Sequence, residues 1–141
     1  MQVQDIMTAD VTSVGPHTTL QQAAQKMRDL DVGSLPICDG DRLVGIVTDR
    51  DIAIRAVADG VDPSQCMVSE IMSEGVEYCF ADDDVEEAAE HMRRKQIRRL
   101  LVLNRDKQLA GILALGDIAV TGDEEQVGET LEEISEPAHA R

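Results

Sequence analysis

The chain has 141 residues, 28 acidic against 13 Lys and Arg, giving a formal charge of −15, with 43% apolar and only 1% aromatic residues. This is the length of one compact domain with a real core, which must be built from Val, Ile, Leu, Ala and Met. The charge excludes a basic footprint for DNA, RNA or anionic membranes, and without Trp there is no base-stacking surface. In chain order, a short segment Val3 to Met7 leads to a strand-like stretch near Val11. A helix follows, with Leu20, Ala23, Ala24, Met27 and Leu30 on one face and Thr18 with Gln21 as its capping box. Two apolar runs, Leu35 to Cys38 and Leu43 to Val47, flank Asp39-Gly40-Asp41 as a hairpin. A second helix begins near Asp51, carries Ile52, Ile54, Ala56 and Val57, and stops at Gly60 before Asp62-Pro63.

The same order then returns. Val3, Ile6 and Met7 recur 65 positions later as Val68, Ile71 and Met72, and Met27-Arg28 as Met92-Arg93. One inserted residue later, Gly45-Ile46 returns as Gly111-Ile112 and Asp51-Ile52-Ala53 as Asp117-Ile118-Ala119. The second helix start is read at Asp83 and Glu86, with Val85, Ala88, Ala89 and Met92 on its inner face. The second hairpin turns at Asn104 to Lys107. A unit that repeats once predicts two packed copies rather than a solenoid, which needs about three or more. The expected boundaries are repeat 1 at 1–62, repeat 2 at 63–120 and an acidic, mobile tail at 121–141. The cleft between two copies is the place to expect a small ligand.

Other chemistry is sparse. The three cysteines, Cys38, Cys66 and Cys79, are an odd number and fit a reducing compartment. With no basic, apolar leader and no run long enough to span a bilayer, the expectation is a cytoplasmic protein. Cysteine and histidine show neither CxxC nor HExxH spacing, so no metal site is expected and the thiols read as core. No catalytic triad, Walker loop or dinucleotide fingerprint is present, and an enzyme is not expected.

Val32-Gly33-Ser34-Leu35-Pro36-Ile37 followed by Gly45-Ile46-Val47-Thr48-Asp49-Arg50-Asp51-Ile52 resembles a CBS domain. Ile97 to Val102 with Gly111 to Ile118 resembles a second, so that residues 1–120 are similar to a CBS pair, or Bateman module. The resemblance implies an α/β (α+β) fold of two β-α-β-β-α repeats, packed sheet to sheet with pseudo-two-fold symmetry. It also implies a homodimer and a regulatory role: binding AMP, ADP, ATP or S-adenosylmethionine between the repeats and modulating a partner protein. Thr48-Asp49-Arg50-Asp51 matches the family's Ser/Thr-x-x-Asp ligand motif. By that resemblance Asp51 holds a ribose and Thr48 faces the phosphate, while Val11, Ser13, Leu35, Pro36 and Ile37 line the adenine slot. Arg99 would meet the phosphate, and Asp117 would mark a second site in which Ala114 replaces the hydroxyl residue. The same Thr-x-x-Asp is also a helix capping arrangement that needs no ligand. Two other functions stay open, a ligand-independent dimer scaffold or stress-associated interaction protein, and a cysteine-based redox or metal sensor.

Overall fold

The computed structural model describes residues 1–121, so the expectation for the acidic tail lies outside the described residues from 122 onward. The chain forms two compact units, one of residues 12–76 and one of residues 1–11 with 77 onward. The sequence repeat and the compact units are therefore cut at different places. Each repeat's opening segment completes the unit that holds the other repeat's hairpin.

In the 12–76 unit, helix α1 (Leu20–Leu30) buries Leu20, Ala23 and Met27 on one stripe, at the spacing of a helix face. Ala24 and Leu30, expected on that stripe, are exposed. The cap is Thr19 with Gln22, not Thr18 with Gln21: Thr19 Oγ accepts from the Gln22 N–H and the Gln22 side chain accepts from the Thr19 N–H. Thr18 is committed elsewhere, its carbonyl accepting from the Val68 N–H at 2.8 Å. After α1 the chain turns at Asp31 in the left-handed region and enters the hairpin of β1 (Ser34–Asp39) and β2 (Arg42–Thr48). The opening strand expected near Val11 is reduced to a parallel bridge at Val14 on the edge of β1. On the far side Ser73 bridges to Ile46 of β2. Helix α2 (Asp49–Ile52) runs on into a π-helical turn at Ala53–Val57. Leu20, Leu35, Ile37, Val47 and Val68 are fully buried between these layers, each contributing about 1.5–3 kcal/mol.

The other unit repeats this order. Here the opening strand forms, as β3 (Tyr78–Phe80), parallel to β4 (Arg99–Leu103), which pairs antiparallel with β5 (Leu109–Ala114). Helix α3 (Val85–Lys95) buries Val85, Ala88, Ala89 and Met92 as the sequence predicts. Its cap is Asp84, which accepts from the Glu86 N–H, because Asp83 already accepts from the Phe80 N–H. Helix α4 (Leu115–Thr121) follows β5. Thr8 closes the sheet on β5 by exchanging two hydrogen bonds with Ile112, each 2.9 Å.

A glycine sits at the same joint in each unit. A Cβ on Gly45 would lie 2.7 Å from Met72 Sδ and 3.0 Å from the Ser73 carbonyl oxygen. One on Gly111 would lie 2.8 Å from Met7 Sδ and 2.6 Å from the Thr8 carbonyl oxygen. The repeated Gly and Met are thus the two halves of one contact, which only glycine's missing side chain permits.

Candidate functional site

The strand-to-helix junction after β2 carries the chemistry. Thr48 is the N-cap of α2: its Oγ accepts from the Asp51 N–H at 3.0 Å, and its own N–H donates to Asp51 Oδ2 at 3.0 Å. The capping arrangement that the spacing allows is therefore formed. It consumes one carboxylate oxygen of Asp51 and leaves Oδ1, which faces Arg55 Nε at 3.9 Å. The Asp51 side chain is 14% exposed and that of Arg55 51%, so the pair is open on the Arg55 side. Arg55 also donates to the Ile71 carbonyl at 2.9 Å.

The structure gathers most of the remaining predicted residues in the same unit. Thr48 pairs with Ser34 across the hairpin, next to Leu35-Pro36-Ile37. Leu35 and Ile37 are fully buried in the core. Pro36 accepts from the Val14 N–H at 3.0 Å, which places Ser13 beside this strand. Ser13, with Val14, Gly15, Thr18, Gln22 and Lys26, lines an open groove of about 530 Å³ against α1. Neither Thr48 nor Asp51 borders that groove. Nothing in the sequence signals it, because its polar residues are those of any solvated helix face. Val11, Arg99 and Asp117 belong to the other unit.

The corresponding junction of that other unit is poorer. Asp117 Oδ2 accepts from the Ala114 N–H at 2.8 Å, so the carboxylate half of the cap survives. Ala114 has no hydroxyl to complete it. Opposite Ala114 in the β4–β5 ladder stands Arg99, exposed, where the first unit has Ser34 opposite Thr48. A hydroxyl pair in one unit thus corresponds to an arginine beside a methyl group in the other.

The three thiols are free and buried. Burial pushes all three up in pKa: for Cys38 a Ser13 hydrogen bond opposes the rise and Asp41 adds to it. Glu70 adds to the rise at Cys66, and Cys79 is pushed up to about 12, with Asp83 adding to the burial. A buried, protonated thiol is a poor nucleophile and a poor metal ligand. None recurs in the duplication: at the 65-residue shift Cys38 corresponds to Leu103, and Cys79 to Val14. They occupy positions of the apolar core.

A duplicated hairpin and helix, with an aspartate bonded back to the end of each second strand, defines a class of paired repeats. The CBS domain model matches residues 3–57 and 68–121, and the chain belongs to the CBS-domain family. Hypoxic response protein 1 of Mycobacterium tuberculosis (strain ATCC 25618 / H37Rv) is 41% identical over 135 residues, 95% of this chain and 94% of that protein. CBS domain-containing protein YhcV of Bacillus subtilis (strain 168) is 41% identical over 134 residues, 94% of each. Among solved structures, Hypoxic Response Protein I with two coordinated zinc ions superposes at TM-score 0.76 and 42% identity, covering 87% of this chain and 100% of that one. The CBS domain pair of MJ0100, in complex with 5′-methylthioadenosine and S-adenosyl-L-methionine, superposes at TM-score 0.69 and 27% identity, covering 85% and 94%. Among the described residues of this chain, no three His, Cys, Asp or Glu side chains converge on one point. No helix among those residues is long and apolar enough to cross a membrane.

Proposed function

We propose that the chain is a non-catalytic, cytoplasmic regulatory module that binds an adenosine-containing ligand (AMP, ADP, ATP or S-adenosylmethionine) and, as a homodimer, modulates a partner protein. The observation that carries this reading is the carboxylate of Asp51. Its Oδ2 is fixed by the Thr48 N–H, while Oδ1 faces the half-exposed Arg55 side chain at 3.9 Å and, among the described residues, no backbone donor. An oriented carboxylate with one oxygen free of backbone donors accepts hydrogen bonds from a ribose diol, which adds donors without disturbing the cap. The adenosine ligands of the MJ0100 pair support the choice of ligand class. Thr48 faces the phosphate end, and Ser13 with the Leu35-Pro36-Ile37 strand serves the base. Asp117 makes a second, weaker site, for want of a hydroxyl at Ala114.

A second reading has its own support. The capping box accounts for Thr48 and Asp51 without a ligand, and the 12–76 unit exposes Leu30, Val32, Ile54 and Val57. These features fit a dimer scaffold that ignores nucleotides. Thermal unfolding separates the two. A ligand at about 100 times its dissociation constant adds about 2.7 kcal/mol, a shift of several degrees. A shift with one of AMP, ADP, ATP or S-adenosylmethionine that is lost in Asp51→Ala supports the sensor. No shift with any of the four supports the scaffold.

A further inference from the structure

We infer that Arg55 is a positioning residue that links the carboxylate of Asp51 to the 71–73 segment, and so carries occupancy of the Asp51 site to the place where the chain leaves the 12–76 unit. The inference rests on the proposed ligand site for its purpose, but not for its geometry. Arg55 Nη1 donates to the Ile71 carbonyl at 2.9 Å and to Ser73 Oγ at 3.4 Å, while Nε of the same guanidinium faces Asp51 Oδ1 at 3.9 Å. One planar group thus touches both the candidate ligand carboxylate and a segment 16 to 18 residues further along the chain. That segment is itself tied to β2 by the Ile46–Ser73 bridge, and Val76 is the last residue before the chain enters the other unit.

The other unit supplies the control. It makes the same joint, with Thr8 and Ile112 exchanging two hydrogen bonds and Met7 packed against Gly111. It also keeps the aspartate, as Asp117. At the 66-residue shift, however, the position of Arg55 is taken by Thr121. The other unit therefore makes this joint with no arginine at the Arg55 position. What Arg55 adds in the first unit is the connection to the carboxylate. A diol donating to Oδ1 spreads the carboxylate's charge over more donors and weakens its pull on Nε. Ile71 and Ser73 then compete for the guanidinium on new terms, which is the differential contact that a coupling between two places requires.

The link is tested without any ligand by amide hydrogen exchange on the full chain, in wild type, Asp51→Asn, Arg55→Gln and the double variant. Asparagine keeps an oxygen for the Thr48 N–H, so the cap survives in Asp51→Asn. Arg55→Gln should speed exchange at Met72 and Ser73 about two- to fivefold, the range an ion pair this exposed supports. Asp51→Asn should speed the same amides by a similar factor, and the double variant should add nothing further. Unchanged exchange at 71–73 in Asp51→Asn, or effects that multiply in the double variant, would overturn the link. A second arm uses AMP and S-adenosylmethionine as probes: each that raises the unfolding temperature should alter exchange at Met72 and Ser73 in wild type but not in Arg55→Gln. The same change in both proteins would also overturn it. If none of AMP, ADP, ATP and S-adenosylmethionine raises the unfolding temperature, the binding reading fails, and the ligand-free cycle still decides the link.

Discussion

The two units share a scaffold and differ at one junction, and the difference separates what the fold needs from what a site needs. Both units close their sheets on a glycine packed against a methionine, Gly45 on Met72 and Gly111 on Met7. Both hairpins carry an irregularity at the same place, between Ile37 and Cys38 and between Val102 and Leu103. Both keep an aspartate on the turn after the second strand. The 12–76 unit adds Thr48, which completes the cap, and Arg55, which reaches the carboxylate, where the other unit has Ala114 and Thr121 in the sequence. The other unit puts Ala114 beside Arg99. Features present twice are fold; those present once are the candidates for function.

The largest effect should come from breaking a shared joint. Gly111→Ala places a Cβ against the Thr8 carbonyl, backbone that cannot move aside, and should cost about 3 kcal/mol in urea unfolding. Gly45→Ala meets a flexible methionine first and should cost less, about 1 kcal/mol. Equal costs would mean that the two joints are not packed as described.

Next come the reciprocal exchanges at the differing junction. Thr48→Ala should lose about 1 kcal/mol, the worth of an N-cap hydroxyl, while Ala114→Thr should recover part of that in the other unit. A loss in both would show that Ala114 is required by its neighbours and is not simply a missing hydroxyl.

A smaller effect is peculiar to the second unit. Glu77 accepts from His91 at 2.7 Å and faces Lys95 at 3.6 Å. The His91 hydrogen bond, with Lys95 assisting, holds its carboxyl below its ordinary 4.5. A carboxyl depressed on folding stabilises above its unfolded value, and that contribution fades as pH falls through the folded value. The urea midpoints of wild type and Glu77→Gln should therefore differ near neutral pH and converge below the ordinary 4.5. The first unit has Thr12 at the matching position and should show no such dependence there. The smallest effect is on Cys79. With its pKa near 12, the folded protein should resist iodoacetamide at this thiol at mildly alkaline pH, and labelling should wait for unfolding.

The helix faces and hairpins were legible because periodicity and turn residues report local structure directly. Leu20, Ala23 and Met27, or Val85, Ala88 and Met92, lie on the buried faces that the spacing predicts, whereas Ala24 and Leu30, read onto the first face, are exposed. The caps were legible only to within a residue. Thr18-Thr19 and Gln21-Gln22 are doubled residues, as Asp82-Asp83-Asp84 is a run, and pattern cannot choose within them. The choice is made by tertiary partners: Val68 takes the Thr18 carbonyl, and Phe80 takes the Asp83 carboxylate. The assignment of opening segments was not legible at all. Val3 to Met7 and Val68 to Met72 are near-copies of one motif, so either satisfies either core, and only the folded chain shows which one each joins. At the site, the Thr48–Asp51 pair was readable as cap or as ligand motif. Arg55 was readable only as a nearby charge, because its partners Ile71 and Ser73 are remote in sequence.

The most direct test of the asymmetry is to titrate AMP, ADP, ATP and S-adenosylmethionine in turn into the isotope-labelled protein and follow backbone amides. The account predicts that at least one of them shifts Thr48 to Asp51 at concentrations that leave Ala114 to Asp117 unmoved. Equal shifts at both junctions, shifts at the second alone, or none at either would contradict it.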